Sequence, residues 1–217
     1  MTPNKEDYLK IIYELSERDE KISNKKIAEK MSVSAPAVSE MVKKLLLEDL
    51  VLKDKQAGYL LTKKGQILAS SLYRKHRLIE VFLMNHLNYT ADEIHEEAEV
   101  LEHTVSDVFV ERLDKFLNYP KACPHGGTIP QHGQPLVERY RTTLKGVTEM
   151  GVYLLKRVQD NFQLLKYMEQ HHLKIGDELR LLEYDAFAGA YTIEKDGEQL
   201  QVTSAVASQI YIEKKAY

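Results

Sequence analysis

The chain has 217 residues, 43% of them hydrophobic and 29% charged, with a formal net charge of −3 and a mean hydropathy of −0.41. That length sets one to three domains, and no apolar run approaches the roughly 18 residues that a membrane-spanning helix needs. Met1-Thr2-Pro3-Asn4-Lys5-Glu6-Asp7 lacks the apolar core of a secretory signal, and Cys123, the single cysteine, excludes an internal disulfide and fits a reducing cytoplasm.

In chain order, residues 5–18 are predicted to form a helix, with Tyr8, Ile11, Ile12 and Leu15 at helical spacing. Ser23 is placed to cap a short helix that carries Ile27 and Ala28 and ends near Met31. After a tight turn, Ser34 caps a second helix, Pro36 sits in its first turn, and Val38, Met41, Val42, Leu45 and Leu46 recur on one face. Two short helices joined this way predict a helix-turn-helix. Residues 50–55 and 59–62 flank Gln56-Ala57-Gly58 as a β-hairpin, which makes the unit a winged helix. A long helix is expected from Gly65 to about His86. Another is expected from Ala91 or Asp92 to about Leu117, with Ile94, Ala98, Leu101, Val105 and Val108 as its apolar stripe. Residues 118–135 read as an irregular loop. Strands are expected over 178–184, 190–194, 199–202 and 209–212, with Asp196-Gly197 as a hairpin turn, and together they suggest a small β-barrel.

Charge is unevenly spread. Residues 1–64 hold 13 basic and 11 acidic residues, 65–125 hold 6 and 10, and 126–217 hold 11 and 12. The candidate DNA-binding segment is thus the positive one, a weak signal taken alone. At the start of its second helix stand Ser34, Ala35, Pro36, Ala37 and Ser39, all small. Such residues read DNA by methyl contacts, hydroxyl bonds and duplex shape rather than by arginine forks. Lys25, Lys26, Lys43, Lys44, Lys53 and Lys55 are candidates for phosphate contacts, against the plainer reading of solvated surface charge.

The acidic centre carries a metal-ligand pattern. His95, Glu99, Glu102 and His103 stand at i, i+4, i+7 and i+8, which on one continuous helix is a single face. An ordinary solvated face would interleave Lys or Arg, and from Glu93 to Glu111 there is neither. His76 and Glu80 form a second i, i+4 pair upstream. Mixed nitrogen and oxygen donors suit Mn²⁺, Fe²⁺, Zn²⁺ or Co²⁺ better than Ca²⁺ or Mg²⁺. A metal site beside a DNA-binding module suggests a metal-gated switch.

These segments together resemble the diphtheria toxin repressor family of metal-dependent transcription regulators. The resemblance is carried by Glu6-Asp7-Tyr8-Leu9, Ser34-Ala35-Pro36-Ala37-Val38-Ser39, Leu61-Thr62-Lys63-Lys64-Gly65 and Arg74-Lys75-His76-Arg77-Leu78-Ile79-Glu80. It continues with His95-Glu96-Glu97-Ala98-Glu99-Val100-Leu101-Glu102-His103, and with Cys123-Pro124-His125-Gly126 followed by Ile129-Pro130. It implies a mainly α protein with a small β domain: a winged helix over 1–73, a helical dimerisation and metal-binding domain over 74–140, and an SH3-like β-barrel over 147–217. Iron-type members carry Met at the position of Asp7 and Cys at that of Glu99. Carboxylates at both place this chain in the manganese-responsive branch, with an iron-responsive or dual regulator as the alternative. The resemblance further implies a regulatory metal site of Asp7, Glu99, Glu102 and His103, with roles for His76, Glu80 and His95. A second site would use Glu80, Cys123, His125 and Asp160. For Cys123 the plainer reading is a buried small hydrophobe, for Asp7 a helix N-terminal acid. The implied protein is a cytoplasmic homodimeric repressor of metal-uptake genes. It would be activated by Mn²⁺ (Fe²⁺, Zn²⁺ or Co²⁺ as substitutes) and bind a palindromic operator in double-stranded DNA, with no membrane partner and no small organic substrate. A metallohydrolase and a metal-storage protein are the rivals. The first lacks a His-Glu-x-x-His or nucleophile motif.

Overall fold

The computed structural model describes residues 5–17, 21–90 and 93–215. Arg18, at the end of the first expected helix, and Ala91 and Asp92, at the expected start of the ligand helix, lie outside them. The chain divides into two compact units. The first comprises residues 1–75 and 130–137, the second 76–129 and 138–217, so the division falls within one long helix between Lys75 and His76.

The first unit is a winged helix. Helices α1 (Lys5–Ser16), α2 (Asn24–Met31) and α3 (Ala35–Leu47) precede a hairpin of β1 (Val51–Asp54) and β2 (Gly58–Leu61). The two serines cap as the sequence suggests: Ser23 accepts from the Lys26 N–H and Ser34 from the Ala37 N–H. Leu9, Ile12, Ile22, Ile27, Val38, Val42 and Leu45 fill the core behind α3. Asp54 Oδ1 accepts from the amides of Gln56 and Ala57, which closes the hairpin turn. At Gly58 the backbone is left-handed, with φ +85°, and the Ile22 carbonyl lies where a Cβ would go. Only glycine lets the strand approach that closely. There the Ile22 N–H donates to the Ala57 carbonyl and the Tyr59 N–H to the Ile22 carbonyl, so residue 22 adds an edge to the wing.

Helix α4 (Lys63–Leu87) leads into the second unit, where α5 (Glu93–Leu101) and α6 (Asp107–Phe116) follow. The single helix expected to run to about Leu117 is therefore broken. Thr104 ends α5 by donating its hydroxyl to the Leu101 carbonyl, and Ser106 starts α6 by accepting from the Phe109 N–H. The break turns the apolar stripe out of phase: Ile94 and Ala98 are buried, whereas Val108 is 60% exposed.

The C-terminal part contains β3 (Gly151–Val158), α7 (Phe162–Gln170), β4 (Glu178–Asp185), β5 (Ala190–Lys195), β6 (Glu198–Thr203), the short α8 (Ser204–Ala207) and β7 (Ile210–Lys214). Four strands were expected from the sequence, and β3 is the fifth. The antiparallel sheet runs β6-β5-β4-β3-β7 and does not close, so the expected barrel is an open sheet of SH3-like kind. Irregular pairing in β3 and β4 interrupts both ladders at Leu155/Arg157 and Leu181/Glu183. Asp196 and Gly197 both take positive φ in the β5–β6 turn. Leu155, Leu179, Leu181, Ile193, Val202 and Ile210 pack with α7 as the core of this part. Among the described residues, no helix is long and apolar enough to cross a membrane.

Replacing Gly58 by Ala puts a side chain onto the Ile22 carbonyl and a non-glycine residue at positive φ. It is expected to destabilise the winged helix by roughly 1–3 kcal/mol, measured as a lower urea midpoint of the transition that reports the first unit.

Candidate metal centre

Helix α4 sets the geometry of the second unit. His76 and Glu80 lie one turn apart and are 1% and 0% exposed. The His76 ring faces two ways. Its Nδ1 is 2.7 Å from Glu102 Oε2 and 3.7 Å from Glu99 Oε2. Its Nε2 is 3.1 Å from Glu80 Oε1 and 3.2 Å from Asp160 Oδ2. Two groups of donor atoms therefore share one imidazole.

On the Nε2 side, α5 contributes His95, whose Nδ1 lies 2.8 Å from Asp160 Oδ1. A loop contributes Cys123 and His125. It is pinched by bonds from the Cys123 amide to the Gly127 carbonyl and from the Ile129 amide to the Lys121 carbonyl. Its left-handed Gly126 abuts the Lys156 carbonyl, where a Cβ would not fit, and the Val158 N–H donates to the His125 carbonyl over 3.0 Å. Strand β3 is thereby docked on the loop, and Asp160, two residues beyond it, reaches the cluster. His125 Nδ1 is 3.2 Å from Glu80 Oε1 and 3.4 Å from Asp160 Oδ1. Potential ligand atoms of His76, Glu80, His95 and Asp160 lie within 4.8 Å of one another, as do those of Glu80, Cys123 and His125.

On the Nδ1 side, Glu99, Glu102 and His76 group in the same way. Glu102 and His103 follow α5 rather than lie in it, so the expected single helical face is instead a helix end and its turn. His103 Nε2 is 3.3 Å from Glu102 Oε1. Glu102 is buried, and Glu99 keeps 47% of its side chain exposed. Asp7 sits in the first turn of α1, in the first unit.

The donor set fits a divalent ion. Glu80 Oε2, His95 Nδ1 and Asp160 Oδ1 are buried without a hydrogen bond that meets ordinary geometry, although His95 Nδ1 and Asp160 Oδ1 lie 2.8 Å apart. A buried polar atom in that condition costs about 1–3 kcal/mol, more when charged. His76 shares protons with Glu102, Glu80 and Asp160, but the atoms left over converge as they would on a common cation, and nitrogen, oxygen and sulfur together suit transition metals. Electrostatics agree. Burial pushes the Asp160 carboxyl up, but the His125, His76 and His95 rings hold it well below the ordinary carboxylate range. Burial pulls His125 down, and Glu80 and Asp160 raise it well above the usual imidazole value. Burial, then Glu80, pushes the Cys123 thiol up.

The DNA-binding candidates fall in the first unit. Ser34, Ala35, Pro36 and Ala37 are exposed at the start of α3. Ser39 is partly buried, accepts from Asn24 Nδ2 and donates to the Ala35 carbonyl, which ties α3 to α2. Lys25, Lys43, Lys44, Lys53 and Lys55 are exposed and Lys26 is half-buried. Lys44 pairs with Glu40 at 2.9 Å and Lys25 approaches Glu29 at 3.8 Å.

The sequence matches the iron dependent repressor N-terminal DNA binding domain over residues 1–59 and the iron dependent repressor metal binding and dimerisation domain over 62–131. A FeoA domain matches over 142–214. The structure described as that of the manganese regulator SloR is 99% identical, covering 99% of this chain and 100% of that one, with a TM-score of 0.92. The chain belongs to the diphtheria toxin repressor family. Within it, a ScaR structure with bound Zn²⁺ is 61% identical over 98% of this chain and all of that one, with a TM-score of 0.94. The diphtheria toxin repressor of Corynebacterium diphtheriae is 27% identical over 220 residues, covering 96% of each chain. The DNA-binding match comes first, the metal-binding match spans His76, Glu80, His95, Glu99, Glu102, His103, Cys123 and His125, and Asp160 falls in the FeoA match.

Sequence reasoning missed Glu138, Arg77 and Arg157. Glu138 is buried and accepts from Arg77 Nη2 at 2.6 Å, Arg157 Nη1 at 2.9 Å and the Thr128 amide at 3.0 Å. Nothing local marks them, since the partners of Glu138 lie 10 residues (Thr128) to 61 residues (Arg77) away in sequence. Burial raises the Glu138 carboxyl, but the two guanidiniums and the amide lower it more, to below the ordinary value. A depressed folded value means that its stabilisation is complete above the unfolded value of about 4.3 and is lost as pH falls through the folded one. Glu138→Gln is expected to lower the stability of the metal-stripped protein by about 3 kcal/mol at neutral pH. In urea titrations at stepped pH, the gap between parent and variant is expected to hold down to about pH 5 and to narrow below about 4.

Proposed function

We propose that the protein is a manganese-responsive, homodimeric transcriptional repressor in which metal binding sets operator affinity. The observation that carries this reading is the convergence of His76, Glu80, Glu99, Glu102, His95, Cys123, His125 and Asp160 in a chain that opens with a winged helix. Manganese follows from the similarity to a manganese regulator, with Zn²⁺ accepted by the ScaR relative. It also follows from the carboxylates Asp7 and Glu99 at the positions where iron-type members carry sulfur.

The regulatory site comprises Asp7, Glu99, Glu102 and His103, with His76 beside it. The second site comprises Glu80, Cys123, His125 and Asp160, with His95 at its edge. A divalent ion supplies the positive charge that lets these carboxylates stand close together. Asp7 brings a ligand from the DNA-binding domain (1–73) to those of the metal-binding domain (74–140). Occupancy thus restricts how the two domains move, and with them the recognition helices of a dimer. A restriction that favours the DNA-competent form raises metal and DNA affinity by the same factor. The dimer is supported by Phe116 and Val108, 62% and 60% exposed in the stretch matched to a dimerisation domain, with the His86 ring 4.9 Å from that of Phe116 and tilted against it. Two symmetric recognition helices require a palindromic operator. Ser34, Ala35, Pro36 and Ala37 face the base edges, and the lysines of α2, α3 and the wing contact phosphates. The FeoA-like domain (147–217) delivers Asp160. The protein works in the cytoplasm, where the DNA is. The relatives it resembles are repressors, which favours a regulator over a hydrolase; metal uptake genes are the expected targets.

The test is gel retardation of the promoter upstream of its own gene by metal-stripped protein titrated with Mn²⁺. Affinity is expected to rise about 5–150-fold, the usual range of allosteric coupling, and Glu102→Ala and Asp7→Ala are each expected to abolish the rise while leaving the fold intact. Equal retardation with and without metal would contradict the switch.

A further inference from the structure

Glu138 touches none of the candidate ligands, yet it is bonded to every segment that delivers the second set. Arg77 follows His76 on α4, the helix that also carries Glu80. Thr128 closes the loop that holds Cys123 and His125. Arg157 lies on β3, three residues before Asp160. One carboxylate, 3% exposed, therefore joins the helix, the loop and the strand. The surroundings fit the same purpose. Arg77 Nη1 donates to the Thr128 carbonyl. Gly127 leaves room for the Arg77 guanidinium, which a Cβ would overlap. The Arg157 guanidinium packs 3.7 Å over the Tyr211 ring.

We propose that Glu138 is a positioning residue for the Glu80–Cys123–His125–Asp160 site, fixing α4, the 121–129 loop and β3 in one register so that their donors converge. Charge-assisted bonds to two guanidiniums hold a carboxylate in a defined place. Groups that orient ligands without touching the metal typically contribute 10–100-fold in affinity. This inference rests on reading the cluster as a metal site.

The experiment is a Co²⁺ titration of the full-length, metal-stripped protein, followed at the near-ultraviolet thiolate-to-cobalt charge-transfer band. Only Cys123 can give that band, because the chain has no other cysteine. In the parent the band is expected to grow and saturate. In Glu138→Gln half-saturation is expected to need about 10–100-fold more Co²⁺. Glu138→Asp keeps the charge, withdraws it by one carbon, and is expected to fall between; it serves alone if Glu138→Gln does not fold. Val202→Ala, a cavity in the sheet core away from the cluster, is expected to lower the unfolding midpoint and leave Co²⁺ half-saturation unchanged. Half-saturation within twofold of the parent in the Glu138 variants, or a shift as large in Val202→Ala, would overturn the positioning role while leaving the metal site standing. No charge-transfer band in the parent would overturn the metal site, and this inference with it.

Discussion

A carboxylate removed from water must find positive charge, and Glu80 is fully buried. Much of the second unit is arranged around that requirement. Its Oε1 lies near His76 and His125, its Oε2 has no hydrogen bond, and a second carboxylate, Asp160, reaches the same imidazoles. Histidine alone relieves such a cluster only by holding protons in the interior, as the raised value of His125 reflects. A divalent cation relieves it outright. On the proposed reading, that is what donors from four separate places, α4, α5, the 121–129 loop and the end of β3, converge to hold. The C-terminal sheet is docked where it can contribute one of them.

His76 links this cluster to the other donor set. Because its two ring nitrogens face Glu102 on one side and Glu80 with Asp160 on the other, neither set is built independently. What orders one places the ring for the other, which would give the two proposed metal sites a physical means of acting together. The Arg77–Glu138–Arg157 network lies beside the clusters and supplies order that does not depend on metal. Buried ion networks of this kind add little net stability compared with apolar packing, but they fix one arrangement. Here the arrangement fixed is that of the segments carrying the ligands.

Much of this was legible in the sequence because the signals were local. Ser23 and Ser34 announced their helices, Asp196-Gly197 announced its turn, and the absence of Lys and Arg between Glu93 and Glu111 announced an unusual acidic stretch. The failures were also physical. The expected 91–117 helix ignored Thr104 and Ser106, whose side chains bond to the backbone and favour a break over continuation. Strand β3 was missed because Gly151-Val152-Tyr153-Leu154-Leu155-Lys156-Arg157-Val158 is an apolar run followed by a charged pair, without the alternation that marks a half-exposed strand. The barrel was over-read, since four short strand signals say nothing of whether the first and last pair. Asp160 rested on family resemblance alone, and Glu138 had no sequence signal, because the geometry that gives it meaning spans residues 77, 128 and 157.

The central claim is that the converging donors are a binding site for divalent metal rather than a self-contained hydrogen-bond network. Equilibrium dialysis of the metal-stripped protein against Mn²⁺, with Glu80→Ala beside it, tests that most directly. Two ions retained per chain are expected in the parent and one in the variant, the loss falling on the set that contains Cys123 and His125. Retention of no Mn²⁺ by the parent, or an unchanged count in the variant, would contradict it.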